Sequence, residues 1–182
     1  MVGCPLDIWI YQEILFRPKP DIIIETGVHC GGSTLYLASI CDLLGTGRVL
    51  ACLPVILRYV DPKVAAHPRA KLFEGSSVDP EIVRSISDIS KNKRTMVILD
   101  CDHSEPHVYQ ELKMYSPLVR VGCYLICEDT NVNGHPVFKT HGPGPYEAVK
   151  RFLYNNDSWQ VDHDCERLLL TFNPNGYLLR TK

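Results

Sequence analysis

Several things are missing from this chain, and each absence closes a class of function. None of its eight cysteines, at positions 4, 30, 41, 52, 101, 123, 127 and 165, forms a CxxC pair. The paired short spacings of a zinc ribbon are therefore lacking. Most of these cysteines fall inside expected strands or helices, where a free thiol behaves as a small apolar residue. The reading is a reduced, cytoplasmic protein. No long basic run occurs, and 19 Lys and Arg against 21 Asp and Glu leave a net charge of −2. A nucleic-acid surface needs a positive patch, so no nucleic-acid partner is expected. No apolar stretch reaches membrane length, and Met1 to Trp9 carry Pro5 and Asp7 in place of a basic leader with an apolar core. Neither a membrane partner nor a signal peptide is expected.

There is also no internal repeat, linker or low-complexity segment. What is present is ordinary: 182 residues, 45% apolar and 22% charged, which suits one domain over 1–182. Strand-like runs alternate with helical patterns. PLDIWIYQEILF (5–16) is read as a helix ended by Pro18 and Pro20. DIIIE (21–25) is a buried strand, followed by a helix capped by Ser33 and closed by Gly45. RVLAC (48–52), AKLFEG (70–75), TMVILD (95–100) and VGCYLICED (121–129) continue the strands. Helices are expected from Asp79 to Ile89, in EPHVYQELKMYSPL, and from Tyr146 to Tyr154. WQVDHD and RLLLTF are expected to pair as a closing hairpin. Strands separated by helices imply βαβ units, hence a doubly wound, mostly parallel α/β sheet with an antiparallel C-terminal edge.

In such a sheet, ligands bind beyond the carboxyl ends of the strands. After the first strand comes Glu25-Thr26-Gly27-Val28-His29-Cys30-Gly31-Gly32-Ser33. Gly27 allows a tight turn, and Gly31 and Gly32 let a ligand approach the helix N-terminus. A valine at Gly27 is expected to fill ligand space without unfolding the chain. Glu25 disfavours a phosphate but suits a ligand bearing an amine or sulfonium, such as S-adenosylmethionine; a plain strand-to-helix turn is the bland alternative. Acids end the fourth and fifth strands: Asp100 with Asp102, and Glu128 with Asp129. Like charges gathered on one rim invite a cation, and oxygen ligands favour Mg²⁺ or Mn²⁺. His103 is placed to take a proton from an acceptor hydroxyl, with His107 just beyond. The alternative is that these acids only cap the next helix. The segment 131–145, rich in Gly and Pro, reads as a lid or an unstructured loop.

The runs LDIWIYQEIL, PDIIIETGVHCGGS, HPRAKLFEGSS, ILDCDHSEPHVYQEL, VGCYLICEDTNVNGHPV, GPGPYEAVKRFL and LLLTFNPNGYL span nearly the whole chain. In them the sequence resembles the cephalosporin hydroxylase family of S-adenosylmethionine-dependent methyltransferases, which includes rhamnosyl O-methyltransferases. The resemblance implies a class I methyltransferase fold with the cofactor after the first strand, at Glu25, Gly27 and Gly31 and the intervening turn. It places Glu128 and Asp129 on a metal-binding acid pair, with Asp100 or Asp102 as third carboxylate and Asp100 preferred. Gly75, Ser76 and Ser77 fall where the family approaches the adenine. The implied reaction is divalent-metal-assisted O-methylation of a hydroxyl on a sugar or small natural product, and a homo-oligomer stays open.

Two departures from the family stand out. The second strand runs into Leu53-Pro54, and no acid follows until Asp61. The missing contacts to the ribose hydroxyls could cost about 1.5–3 kcal/mol each, unless Asp61 or Arg58 supplies them. Leu53 is expected to face the cofactor. The second departure is that Met1 falls just before the first family helix, so no N-terminal extension is expected to cover the site. A catalytically weak binding subunit is the rival reading, and a dinucleotide-binding enzyme a weaker third that Glu25 argues against.

Overall fold

A computed structural model describes residues 3–54, 60–154 and 156–182. Arg58 lies outside them. The elements follow in the order α1 (Pro5–Phe16), β1 (Ile22–Thr26), α2 (Gly32–Leu44), β2 (Arg48–Leu53), α3 (Pro62–Ala65), β3 (Ala70–Glu74) and α4 (Pro80–Ser90). Then come β4 (Thr95–Leu99), α5 (Glu105–Tyr115), β5 (Tyr124–Cys127), α6 (Pro145–Tyr154), β6 (Trp159–Val161) and β7 (Tyr177–Arg180). The seven strands are ordered β3-β2-β1-β4-β5-β7-β6. The first five run parallel, while β7 is antiparallel to β5 and β6 to β7. Strand order reverses between β1 and β4, which opens a crevice at their carboxyl ends.

Composition explains the layering. β1, β4 and β5 are apolar nearly throughout and buried at every residue, as central parallel strands must be. β3 lies at the edge and is only partly covered. On α1 the buried residues Asp7, Ile10, Tyr11, Ile14 and Leu15 recur at helical spacing and form one face. The helix expected from Asp79 is found as α4, and Asp79 caps it by accepting the N–H groups of Glu81 at 2.8 Å and Ile82 at 3.4 Å.

Two local expectations fail. Ser33 does not cap α2; the cap is Gly31, in left-handed conformation and without a side-chain hydrogen bond. RLLLTF is not a strand. Leu169 is 97% exposed with φ of 68°, and the partner of WQV is YLLR. The Phe172 N–H instead meets the Asp7 carboxylate at 2.9 Å, and its carbonyl accepts from Asn131 N–H at 3.0 Å. Those bonds occupy the groups that a hairpin would need.

Asp7 is the unusual member of the core, only 3% exposed. Besides Phe172 it accepts the Tyr177 hydroxyl at 2.8 Å, so one carboxylate joins the first helix to the last strand. Asp7→Ala strands both donors in the interior, and a loss of about 2–5 kcal/mol is expected. Tyr177→Phe leaves the Phe172 bond in place and should cost less than half as much. Urea denaturation of the two variants measures the difference, and equal losses would refute the bridging role.

Candidate functional site

The pairing of β1 with β4 sets Thr26 beside Leu99, so the residues that follow, Gly27 and Asp100, leave the sheet side by side. The Asp100 N–H reaches Thr26 Oγ1 at 3.3 Å. Gly27 has φ of +81°, and a Cβ there would lie 1.7 Å from the Asp100 carbonyl oxygen. Its space is therefore filled by the neighbouring backbone, and the expectation that it leaves room for a ligand is corrected. Gly31 is similar in kind: a Cβ would meet the side chain of Val64 on α3 at 2.8 Å. The turn is held against β2 by the Val28 N–H to Cys52 carbonyl bond at 3.0 Å.

Glu25 is 2% exposed and accepts the Thr34 hydroxyl at 2.5 Å. Burial pushes its carboxyl up to about 7, against the pull of hydrogen bonds from Ser33 and Thr34. It therefore fastens β1 to the start of α2. His29 is exposed, with Nδ1 3.1 Å from Cys30 Sγ. Because no side chain caps α2, the backbone N–H groups around Gly32 and Ser33 form an anion-accepting end. On the far side of β2, the Gly75 N–H donates to the Leu53 carbonyl at 2.9 Å. Ser76 Oγ accepts Val78 N–H at 3.4 Å, and buried Ser77 lies 3.2 Å from His107 Nε2. Leu53 is wholly buried and paired with Glu74, so it does not face a cofactor. An acid there would be interred. Asp61, in contrast, returns to the turn: its N–H meets the Cys30 carbonyl at 3.3 Å while its carboxylate accepts Lys63 N–H at 2.8 Å.

The acid rim forms by the same logic of register. Leu99 lies opposite Cys127, which brings Asp100 to Glu128, and the Glu128 N–H bonds the Leu99 carbonyl at 2.9 Å. Asp100, His103 and Asp129 converge: His103 Nε2 stands 3.4 Å from Asp100 and 3.2 Å from Asp129. The hydrogen bond to Asp100 raises the imidazole pKa. Burial raises Asp129, and burial together with the charge of Asp100 drives Glu128 well up. Asp102 is not drawn into this group. It is exposed and accepts Ser104 N–H at 2.7 Å, and hydrogen bonding by the Ser104 side chain and backbone holds its pKa down.

Three contributors went unread in the sequence. The Tyr11 hydroxyl donates to Glu128, and the Asn173 side chain accepts Asp129 N–H at 2.9 Å while donating to Tyr11 at 3.0 Å. Glu147 anchors the segment 131–145. It accepts from Asn133 at 3.0 Å and Gly144 N–H at 2.7 Å, and His135 lies 2.9 Å away. Burial opposes ionisation there, yet those bonds pull the carboxyl down to about 2. The segment is thus tied back, and Gly144 packs onto the His103 carbonyl. Asn173 lies within LLLTFNPNGYL, so that run held a signal without a residue-level reading.

The chain matches the family described as Rhamnosyl O-methyltransferase/CmcI over residues 1–181. It is similar to the rhamnosyl O-methyltransferase of Mycobacterium bovis (strain BCG / Pasteur 1173P2), with 40% identity covering 96% of this chain and 73% of that one. Among solved structures, CmcI in its apo form superposes with a TM-score of 0.77 at 19% identity, covering 100% of this chain and 73% of CmcI. CmcI with Mg-SAM gives a TM-score of 0.76 at 18% identity, covering 100% and 74%. The fold is that of the class I O-methyltransferases.

Gly27→Val should then destabilise the chain, because a side chain must part the exits of β1 and β4. A melting temperature at least 8 °C lower, taking about 2 °C or more per kcal/mol, is expected; a native-like melt would show that the two exits separate freely. Glu25 generates a pH dependence. Its folded pKa is raised, so its contribution is complete below about 4.5 and is lost as pH rises through about 7. Glu25→Gln should match the parent near pH 4.5 and exceed it at pH 8 by on the order of 3 kcal/mol. Denaturation of the ligand-free chain at the two pH values decides.

Proposed function

The chain belongs to the Rhamnosyl O-methyltransferase/CmcI family and is an S-adenosylmethionine-dependent O-methyltransferase; from that premise we propose that it methylates a hydroxyl of a sugar or small natural product with the help of a divalent cation. The observation that carries this reading is the convergence of Asp100, His103 and Asp129 on one rim, with Glu128 leaving β5 next to Asp100.

The residues fit both groups. Burial and the nearby charge of Asp100 raise the proton affinity of Glu128 and Asp129, a cation between these carboxylates would relieve that, and Mg²⁺ or Mn²⁺ suits oxygen donors. Asp100, Asp129 and Glu128 would hold it, and Asp102 is not needed. For the cofactor, the α2 end at Gly32 and Ser33 offers N–H donors to a carboxylate, with Glu25, Thr26, Gly27, His29 and Gly31 shaping the turn. Gly75, Ser76 and Ser77 would border the adenine side, and Asp61, bonded back to the turn at Cys30, would serve the ribose side. When bound, S-adenosylmethionine supplies an electrophilic methyl group, and the cation supplies positive charge beside the acceptor hydroxyl, lowering its pKa.

The chain does the rest by placement and proton transfer. His103 Nε2 takes the acceptor's proton. The hydrogen bond to Asp100 and the charges of the two aspartates raise its pKa, which strengthens it as a proton acceptor. Tyr11 and Asn173 hold Glu128 and the Asp129 backbone in place. The segment 131–145, pinned by Glu147, packs at Gly144 against the His103 carbonyl and so holds the loop that carries the imidazole.

Asp129→Ala should lower methyl transfer at least about a hundredfold, because a cation of this kind supplies several kcal/mol. S-adenosylhomocysteine binding by calorimetry and the melting temperature should change little. Activity of the parent should vanish with excess chelator and return with Mg²⁺. Full turnover in chelator would overturn the metal-assisted reading and leave the family assignment intact.

A further inference from the structure

A second set of ligating side chains lies beside the acid rim and takes no part in the proposed reaction. Cys101 follows Asp100 out of β4, while His107 and Glu111 stand one turn apart on α5. Their donor atoms, one sulfur, one ring nitrogen and one carboxylate oxygen, all lie within 4.8 Å of one another. His107 Nε2 is 3.7 Å from Glu111 Oε1 and 3.2 Å from Ser77 Oγ.

Glu111 is the independent observation. It is 0% exposed, and neither carboxylate oxygen has a hydrogen-bond partner among the described residues. Buried polar atoms are nearly always satisfied, and an orphaned carboxylate is the most costly kind to leave. Its helix spacing aims it at His107, and both face the thiol.

We propose that Cys101, His107 and Glu111 form a Zn²⁺ site, separate in chemistry from the oxygen-lined rim. Zinc bonds of about 2.0–2.3 Å put tetrahedral ligands about 3.3–3.8 Å apart, which small side-chain rotations achieve from the observed spacing. Thiolate and imidazole select zinc over Mg²⁺, whereas the rim's carboxylates select the reverse. Ser77 or a water takes the fourth position, and the Cys101 thiol releases its proton to solvent as the sulfur–metal bond forms. The bound ion ties the exit of β4 to α5, bracing the loop that carries Asp100 and His103.

The reduced, metal-stripped chain is titrated with Co²⁺ as a spectroscopic probe. One equivalent should produce a thiolate-to-cobalt charge-transfer band in the near ultraviolet, displaced by Zn²⁺ and untouched by excess Mg²⁺. Cobalt at the carboxylate rim gives no such band, so the two sites are told apart. Cys101→Ser should abolish the band, and Cys30→Ser, at an exposed position, should keep it. Should Cys101→Ser fail to fold, His107→Gln decides, with a loss of about tenfold or more in Co²⁺ affinity expected. Zn²⁺ should raise the melting temperature of the parent and not of Glu111→Gln. No band at one equivalent, a band surviving in folded Cys101→Ser, or undiminished affinity in His107→Gln would overturn the proposal.

Discussion

The contact on which the site depends is the close approach of two strand exits, Gly27 after β1 and Asp100 after β4. Parallel pairing brings these residues level, and the absence of a Cβ at Gly27 lets the Asp100 carbonyl occupy the space. The Thr26 hydroxyl then fixes the Asp100 N–H. Asp100 cannot retreat, so its carboxylate projects into the crevice at the switch point. Every other group in the rim is positioned relative to it: Glu128 through the β4–β5 register, and His103 and Asp129 through contacts to its side chain and to one another.

That arrangement concentrates acids at half-buried and buried positions. Glu25, Glu128 and Asp129 all have raised proton affinities, chiefly because burial penalises their charge. In a domain stabilised by only about 5–15 kcal/mol, such groups are a substantial cost. The fold offsets it at Glu25 and Glu128 with hydroxyl donors from Thr34 and Tyr11, the latter itself held by the side-chain amide of Asn173. Glu147 shows the opposite regime, where backbone and side-chain donors outweigh burial and keep the charge. The carboxylates nearest the proposed chemistry are under-compensated, whereas the one that merely ties a loop is fully satisfied.

Much of the scaffold was legible because its signals are local. The β-branched, mostly apolar runs of β1 and β4, the Asp79-Pro80 start of α4 and the glycine stop of α2 each encode an element within a few residues. The misreadings share a cause. RLLLTF has the composition of a strand, but Asp7, 165 residues away, takes the Phe172 N–H and leaves Leu169 in solvent. Leu53 ends a strand that was correctly found, yet its side chain points into the core. Asp102 sits in a cluster of acids by sequence and turns to its own neighbour's backbone in space.

The sequence by itself determined the alternation of strands and helices, the glycine turn after β1 and the gathering of acids after β4 and β5, because periodicity and strand-end position are properties of short segments. Only the tertiary structure decided which carboxylates meet His103, that Gly27 yields space to backbone, that Tyr11 and Asn173 support the rim, and that Glu147 ties the segment 131–145. Those facts depend on register and on contacts between separate segments, Tyr11 lying more than a hundred residues from Glu128 and Asn173. A side chain's direction within a crowded interior is set by what the rest of the chain has already filled, and no local pattern carries that information.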